Sequence, residues 1–189
     1  AKLPGLTSVT IEDASAILDQ AGRFASETLA PLNQIGDHEG AALENGIVRT
    51  ASGFAEAYKA YSEAGWCASA GDPSYGGQGL PRLINTALFD VWNAANLAFA
   101  LCNTLTDSAT ALLSQHGTDE QRNLYLTRLL SGEWTGAMAM TEPQAGSDVG
   151  ALSCSAQPDG DTYRLKGQKI FISWGDHDLT DNIIYLVLA

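Results

Sequence analysis

The spacing of apolar residues changes period once along the chain, near residue 133, and that change constrains the fold more than any other feature. Upstream, apolar residues recur at three- and four-residue steps. Downstream, Gly136, Gly146, Gly150, Gly160, Gly167 and Gly175 punctuate short runs of strand length. The pattern predicts a mainly α chain: an all-α helical domain over residues 1–133, then the first strands of an antiparallel β-domain over 134–189, with no internal repeat.

Ile11, Ala14, Leu18, Ala21, Ala25 and Leu29 mark one face of a helix from Thr10 to Ala30. Pro31 is expected to stop it, and a polar loop with Gly36, Gly40 and Gly46 to follow. A second helix is expected from about Thr50, with Phe54, Ala57, Tyr58 and Tyr61 inward and Gly65 as its left-handed cap. Residues 66–82 carry too many glycines and prolines for any regular element and read as a long loop. Residues 83–116 suit two or three helices broken at asparagines, and apolar residues on nearly every side suggest that at least one is buried all round. Thr118 to Gln121 has the form of a capping box, opening a helix that runs to Ser131 and ends at Gly132. The expected strands are Thr135–Met140, Leu152–Gln157, Thr162–Lys166, Gln168–Ser173 and Asn182–Ala189, with Asp159-Gly160 a hairpin turn.

Acidic residues number 22 against 10 Lys and Arg, a net charge of -12, which argues against a nucleic-acid partner. The longest apolar runs, Leu97 to Cys102 and Ile183 to Ala189, fall far short of the ~20 residues of a membrane-spanning helix. The opening residues Ala1 to Leu6 lack the n- and h-regions of a secretion signal. Cys67, Cys102 and Cys154 are odd in number and lack metal-ligand spacing, so neither a disulfide framework nor a metal site is indicated, and a cytoplasmic setting is expected. His38, His116 and His177 read as surface or capping histidines, and Asp176, Asp178 and Asp181 as a solvated turn.

The densest chemistry lies in the segment from Met138 to Gly150. Gly146 lets the backbone turn so that neighbouring N–H groups and the Ser147 hydroxyl converge on one point, an anion-friendly arrangement. A plain polar turn whose Ser and Asp cap backbone groups accounts for the same residues equally well. Thr141 is the other hydroxyl placed to meet a ligand.

Met140-Thr-Glu-Pro-Gln-Ala-Gly-Ser-Asp148 resembles the signature of the acyl-CoA dehydrogenase family, and Gly167-Gln-Lys-Ile-Phe-Ile-Ser173 resembles that family's second motif. The loop Pro73-Ser-Tyr-Gly-Gly-Gln-Gly79 and the helix start Gly117-Thr-Asp-Glu-Gln-Arg122 match in order and spacing, so four motifs stand in register. The tail 175–185 looks closest to a branch with larger subunits that includes 3-methylmercaptopropionyl-CoA dehydrogenases. Departures from the commonest pattern are Met138 for an aromatic, Gln144 for Gly, Phe171 for Trp and Trp174 for Asn.

The resemblance implies an FAD enzyme that removes two hydrogens from Cα and Cβ of an acyl-CoA and passes electrons to an electron-transfer flavoprotein. It implies a homodimer or homotetramer at full length. By motif position Met138, Met140, Thr141, Gly146 and Ser147 would line the flavin, with Ser147 also near the acyl-CoA. Phe171, Ile172 and Ser173 would form the other flavin wall, although Phe171 and Ile172 taken alone are ordinary strand residues. Leu101, Leu105 and Leu112 would line the acyl pocket or simply fill core. In the family the catalytic base is a Glu in a C-terminal helical bundle that is absent here, so no catalytic residue is expected in this chain. Glu142 is rejected as the base, because in the family it belongs to the loop architecture. The chain therefore reads as a fragment. An acyl-CoA oxidase of the same fold, a non-catalytic partner subunit and a DNA-protecting flavoprotein are the alternatives.

Overall fold

In the computed structural model, which describes residues 9–189, the chain enters through Thr10. Its side chain caps helix α1 (Ile11–Phe24) by accepting from the Asp13 N–H, while the Asp13 carboxylate accepts from the Thr10 N–H. The expected stop at Pro31 does not occur. A π-helical turn over Ala25–Leu29 intervenes, and α2 (Ala30–Glu39) continues past the proline. Ala30 N–H reaches back five residues to Ala25 O, and Pro31 then sits in the first turn of α2, where a missing N–H costs little.

The expected polar loop contains a hairpin instead. Strands β1 (Ala42–Glu44) and β2 (Ile47–Arg49) pair antiparallel across Asn45-Gly46, both with positive φ. Helix α3 (Phe54–Glu63) starts four residues later than expected and ends ahead of left-handed Gly65. Residues 66–81 are a loop containing two single 3-10 turns, at Trp66–Ala68 and Pro73–Tyr75.

Helices α4 (Arg82–Ala95) and α5 (Leu97–His116) break at Asn96. The Asn96 side chain caps α5 through Phe99 N–H and donates to Leu29 O, so one buried residue ends one helix, starts the next and ties both to the π turn. Helix α6 (Asp119–Ser131) has the capping box at Thr118 and Gln121 and ends at left-handed Gly132. An aromatic chain runs through the core: Phe24, Tyr61, Trp92 and Phe99 meet edge-on or tilted at 5.6–6.0 Å, and Phe54 joins at 6.1 Å. Desolvation there pushes the Cys67 thiol up to about 12, so it stays an inert packing group. Contrary to expectation neither α4 nor α5 is buried all round, because Leu83 stays exposed on the first and Leu97, Leu101 and Leu112 on the second. No helix of the described residues is long and apolar enough to cross a membrane.

Apart from the β1–β2 hairpin, which departs from the expected all-α character of residues 1–133, helices are followed by strands. Strand β3 (Thr135–Ala139) lies directly on α5, and Gly136 allows the approach: a Cβ there would stand 2.6 Å from the Ala109 Cβ. The Gly136 N–H also donates to the Thr106 hydroxyl at 3.0 Å. Strands β4 (Ser155–Asp159) and β5 (Thr162–Lys166) form the expected antiparallel hairpin. β3 pairs with β6 (Ile183–Val187) in parallel rather than antiparallel, which the long crossover between them permits. Gln168–Ser173 is not a strand, since Phe171 has φ of 56° and cannot continue a pleat.

Candidate functional site

β3 delivers its C-terminal end to the signature segment. Ala137 and Ala139 are buried, Met138 is half-buried, and at Met140 the chain leaves the sheet with its side chain exposed. Thr141 is half-buried. Glu142 and Ala145 then exchange backbone hydrogen bonds at 2.9 and 3.0 Å, closing a tight turn over Pro143 and Gln144. Gly146 and Ser147 follow on the exposed side of that turn.

Glu142 is the hub of the loop and only 2% exposed. Its carboxylate accepts from Ser153 N–H at 2.7 Å, the Ser153 hydroxyl at 2.9 Å, Cys154 N–H at 3.0 Å, Gln144 Nε2 at 2.6 Å and Lys169 Nζ at 2.9 Å. Lys169 first, and the Ser153 N–H next, hold the carboxyl far below the ordinary Glu range. It is therefore ionised and saturated with donors, which makes it a poor proton acceptor and a strong structural anchor.

Lys169 also donates to Met140 O at 2.9 Å, and Ile170 N–H donates to Thr141 O at 2.9 Å. These bonds place the two sequence motifs side by side: residues 140–142 abut residues 169–170, and Phe171, Ile172 and Ser173 continue from that junction. The Phe171 ring is 87% exposed on left-handed backbone. A bulky side chain in that region carries a cost of about 1–3 kcal/mol, and such strain persists only where the surroundings impose it.

The far end of this segment is tied down as well. Gly175 N–H closes a turn on Ile172 O, and Trp174, also with positive φ, donates from Nε1 to Ala98 O at 2.9 Å. Its ring stacks on Phe54 at 6.4 Å and meets His177 edge-on at 5.5 Å. His177 is buried rather than on the surface. Leu179 N–H donates to its Nδ1, which leaves the proton on Nε2, and Nε2 donates to the Thr135 hydroxyl at 2.9 Å. Burial keeps its pKa below the usual value against the opposing pull of Asp176 and Asp178. Asp178 accepts from the Thr50 N–H and hydroxyl and from Arg49, so part of the expected solvated turn is a tether to β2.

Of the expected site residues, Met140, Thr141, Phe171, Ile172 and Ser173 thus lie on two hydrogen-bonded segments. Met138 lies half-buried on β3, two residues before Met140, and Gly146 and Ser147 lie on the loop that Glu142 anchors. Lys169, Ser153 and Trp174 were not singled out as functional from the sequence. Lys169 carries a legible signal, as the cation inside the second motif facing the Glu of the first, whereas Ser153 carries none.

The N-terminal-domain profile of the acyl-CoA dehydrogenase family matches residues 11–133, and its middle-domain profile matches residues 137–188. A 3-methylmercaptopropionyl-CoA dehydrogenase from Ruegeria pomeroyi is 45% identical over 97% of this chain and 31% of its own length. A butyryl-CoA dehydrogenase from Syntrophomonas wolfei is 36% identical over 95% of this chain and 30% of its own. The chain thus spans just under a third of the curated relatives it matches. Among solved structures, butyryl-CoA dehydrogenase from Megasphaera elsdenii superposes with a TM-score of 0.76 at 26% identity, over 93% of this chain and 44% of that one. An FAD complex of PigA superposes at 0.71 with 25% identity, covering 87% and 40%.

Proposed function

Because the chain belongs to the acyl-CoA dehydrogenase family, we propose that it forms the helical part and the first β-strands of an FAD-dependent enzyme that converts an acyl-CoA thioester to the trans-2-enoyl-CoA. The observation that carries this reading is the junction of segments 140–142 and 169–171, which ends in an exposed aromatic ring held on strained backbone. An exposed Phe in a left-handed conformation gains nothing from the core and suits a flat apolar partner. Flavin is such a partner.

The residues present fit the cofactor. Phe171 would pack on the isoalloxazine, the Ser173 hydroxyl would donate at N5, Thr141 and the backbone of Met140 would meet the ring edge, and Gly146 and Ser147 would meet the pyrophosphate. FAD would supply a two-electron acceptor for hydride from the substrate Cβ. This chain's own part is to orient that acceptor and exclude water from one of its faces. The Glu142 and Lys169 pair fixes the spacing of the two walls, and Trp174 sets the angle of the second against α5. Ser147 would also donate toward the acyl-CoA. Glu142 takes no proton, so the α-proton would go to another group.

The same reading assigns residues 1–133 and 134–189 to two domains, an electron-transfer flavoprotein as acceptor, a homo-oligomeric assembly and a cytoplasmic location. The test is anaerobic titration of the full-length protein. It should purify yellow, bleach on addition of an acyl-CoA, and recover its colour faster with electron-transfer flavoprotein than with oxygen. A colourless protein that gains no flavin absorbance when mixed with FAD would overturn the reading, and fast recovery with oxygen alone would make it an oxidase.

A further inference from the structure

Two buried donors in the helical core have no partner among the described residues: Trp66 Nε1 and Asn103 Nδ2. Both residues line the same small cavity, enclosed by the 3-10 turn at Trp66, by α4 through Asn85, Phe89 and Trp92, and by α5 through Asn103, Thr106 and Asp107. Its volume is about 10 Å³, room for one water-sized sphere. Unpartnered buried donors are rare in folded chains, and two of them on residues that line one void call for an acceptor in it.

Three of the neighbouring polar side chains are already engaged. The Ser69 hydroxyl donates to Asn85 Oδ1 at 2.7 Å, and the Thr106 hydroxyl donates to Cys102 O while accepting from Gly136 N–H. Acceptor capacity in the lining remains on the Tyr61 hydroxyl and on the Asp107 carboxylate, whose Oδ2 lies 3.4 Å from Arg82 Nη1. A ligand that accepts two hydrogen bonds and also donates fits this lining best. A halide accepts but cannot donate, and the Asp107 charge repels it. A metal cation is repelled by two N–H donors.

We propose that one ordered water molecule occupies this cavity, accepting from Trp66 Nε1 and Asn103 Nδ2 and donating toward Asp107. It ties Trp66, at the start of the 66–81 loop, to α5, beside the direct Ser69–Asn85 bond that already ties that loop to α4. Asp107 also lines an outer groove together with Arg82, Thr110 and Ser114, so it separates the buried water from solvent and marks its exchange route.

A high-resolution crystal structure of the full-length protein tests this. The expected result is a single peak without anomalous signal, about 2.7–3.2 Å from both nitrogens. In the double variant Trp66→Phe/Asn103→Leu the peak should vanish, and the number of long-lived internal waters from oxygen-17 relaxation dispersion should fall by one. The proposal is overturned by an empty cavity, by a chloride-like anomalous peak, by an Asn103 amide turned so that Oδ1 accepts directly from Trp66, or by a water that persists unmoved in the double variant. If the double variant does not fold, the wild-type density decides alone.

Discussion

Phe171→Asn separates structural from cofactor roles, because the two readings of this ring predict opposite signs. The ring is 87% exposed, so its removal forfeits little burial in the flavin-free protein. The backbone at φ of 56° penalises Phe by roughly 1–2 kcal/mol, a cost Asn largely escapes by local hydrogen bonding. The flavin-free form of the variant should therefore be about 0.5–1 kcal/mol more stable in urea unfolding, part of the strain remaining for any side chain with a Cβ. Flavin binding should move the other way. Covering roughly half of the ~150 Å² that a Phe side chain offers, at ~25 cal/mol per Å², contributes about 2 kcal/mol, or about 30-fold in Kd. The assay pairs urea unfolding of the flavin-free protein with fluorescence titration of FAD. A variant destabilised by more than about 1 kcal/mol would show that the ring belongs to the core, and unchanged flavin affinity would remove it from the site.

Gly136→Val should destabilise the fold by about 1–3 kcal/mol, since its Cβ would meet the Ala109 Cβ at 2.6 Å and push β3 off α5; thermal unfolding checks it, and an unchanged midpoint refutes the close packing. His177 is held neutral with its pKa depressed, so the unfolded chain binds more protons below the ordinary His value. Its contribution to stability is complete above about pH 6.5 and is lost as pH falls through the folded pKa, and His177→Gln should flatten that part of a stability profile. Lys169→Met should let the Glu142 carboxyl titrate closer to the ordinary Glu range. The variant should be less stable than wild type at neutral pH, the gap should narrow as Glu142 protonates in acid, and Lys169→Arg should recover most of the loss. A gap that stays constant with pH would contradict the pairing.

What the sequence made legible is local and what it hid is non-local. The capping box at Thr118 and Gln121 and the stop at Gly132 are contained within a few residues, so helix α6 could be read to the residue. Pro31 misleads because its cost depends on the preceding turn, which widens to a π turn that Leu29, buried in the core and tied to Asn96, helps hold in place. Asn45-Gly46 is a strong hairpin dipeptide, but the strands beside it are only three residues long and mostly exposed, too short for an alternating pattern to show. Gln168–Ser173 has strand composition, yet it is bent by bonds to residues almost thirty positions earlier. The family motifs named Met140, Thr141, Phe171 and Ser173, while the hub that brings them together reaches across to Ser153 and Cys154, which belong to neither motif.

The burial of Glu142 shows how one residue type serves opposite ends. A carboxylate that abstracts a proton near neutral pH needs a raised pKa, and burial in an apolar pocket without donors provides it. Glu142 is buried just as completely, but Lys169, two backbone N–H groups, a hydroxyl and an amide surround it, and these drive the pKa in the other direction. Its free energy is thereby committed to holding segments 140–142, 153–154 and 169–171 at fixed separation. Within the proposed enzyme this divides the labour between parts of the protein. Residues 140–173 would set the position of the flavin with a carboxylate that stays charged at neutral pH, and proton transfer would fall to another group whose surroundings can be tuned without loosening the flavin walls.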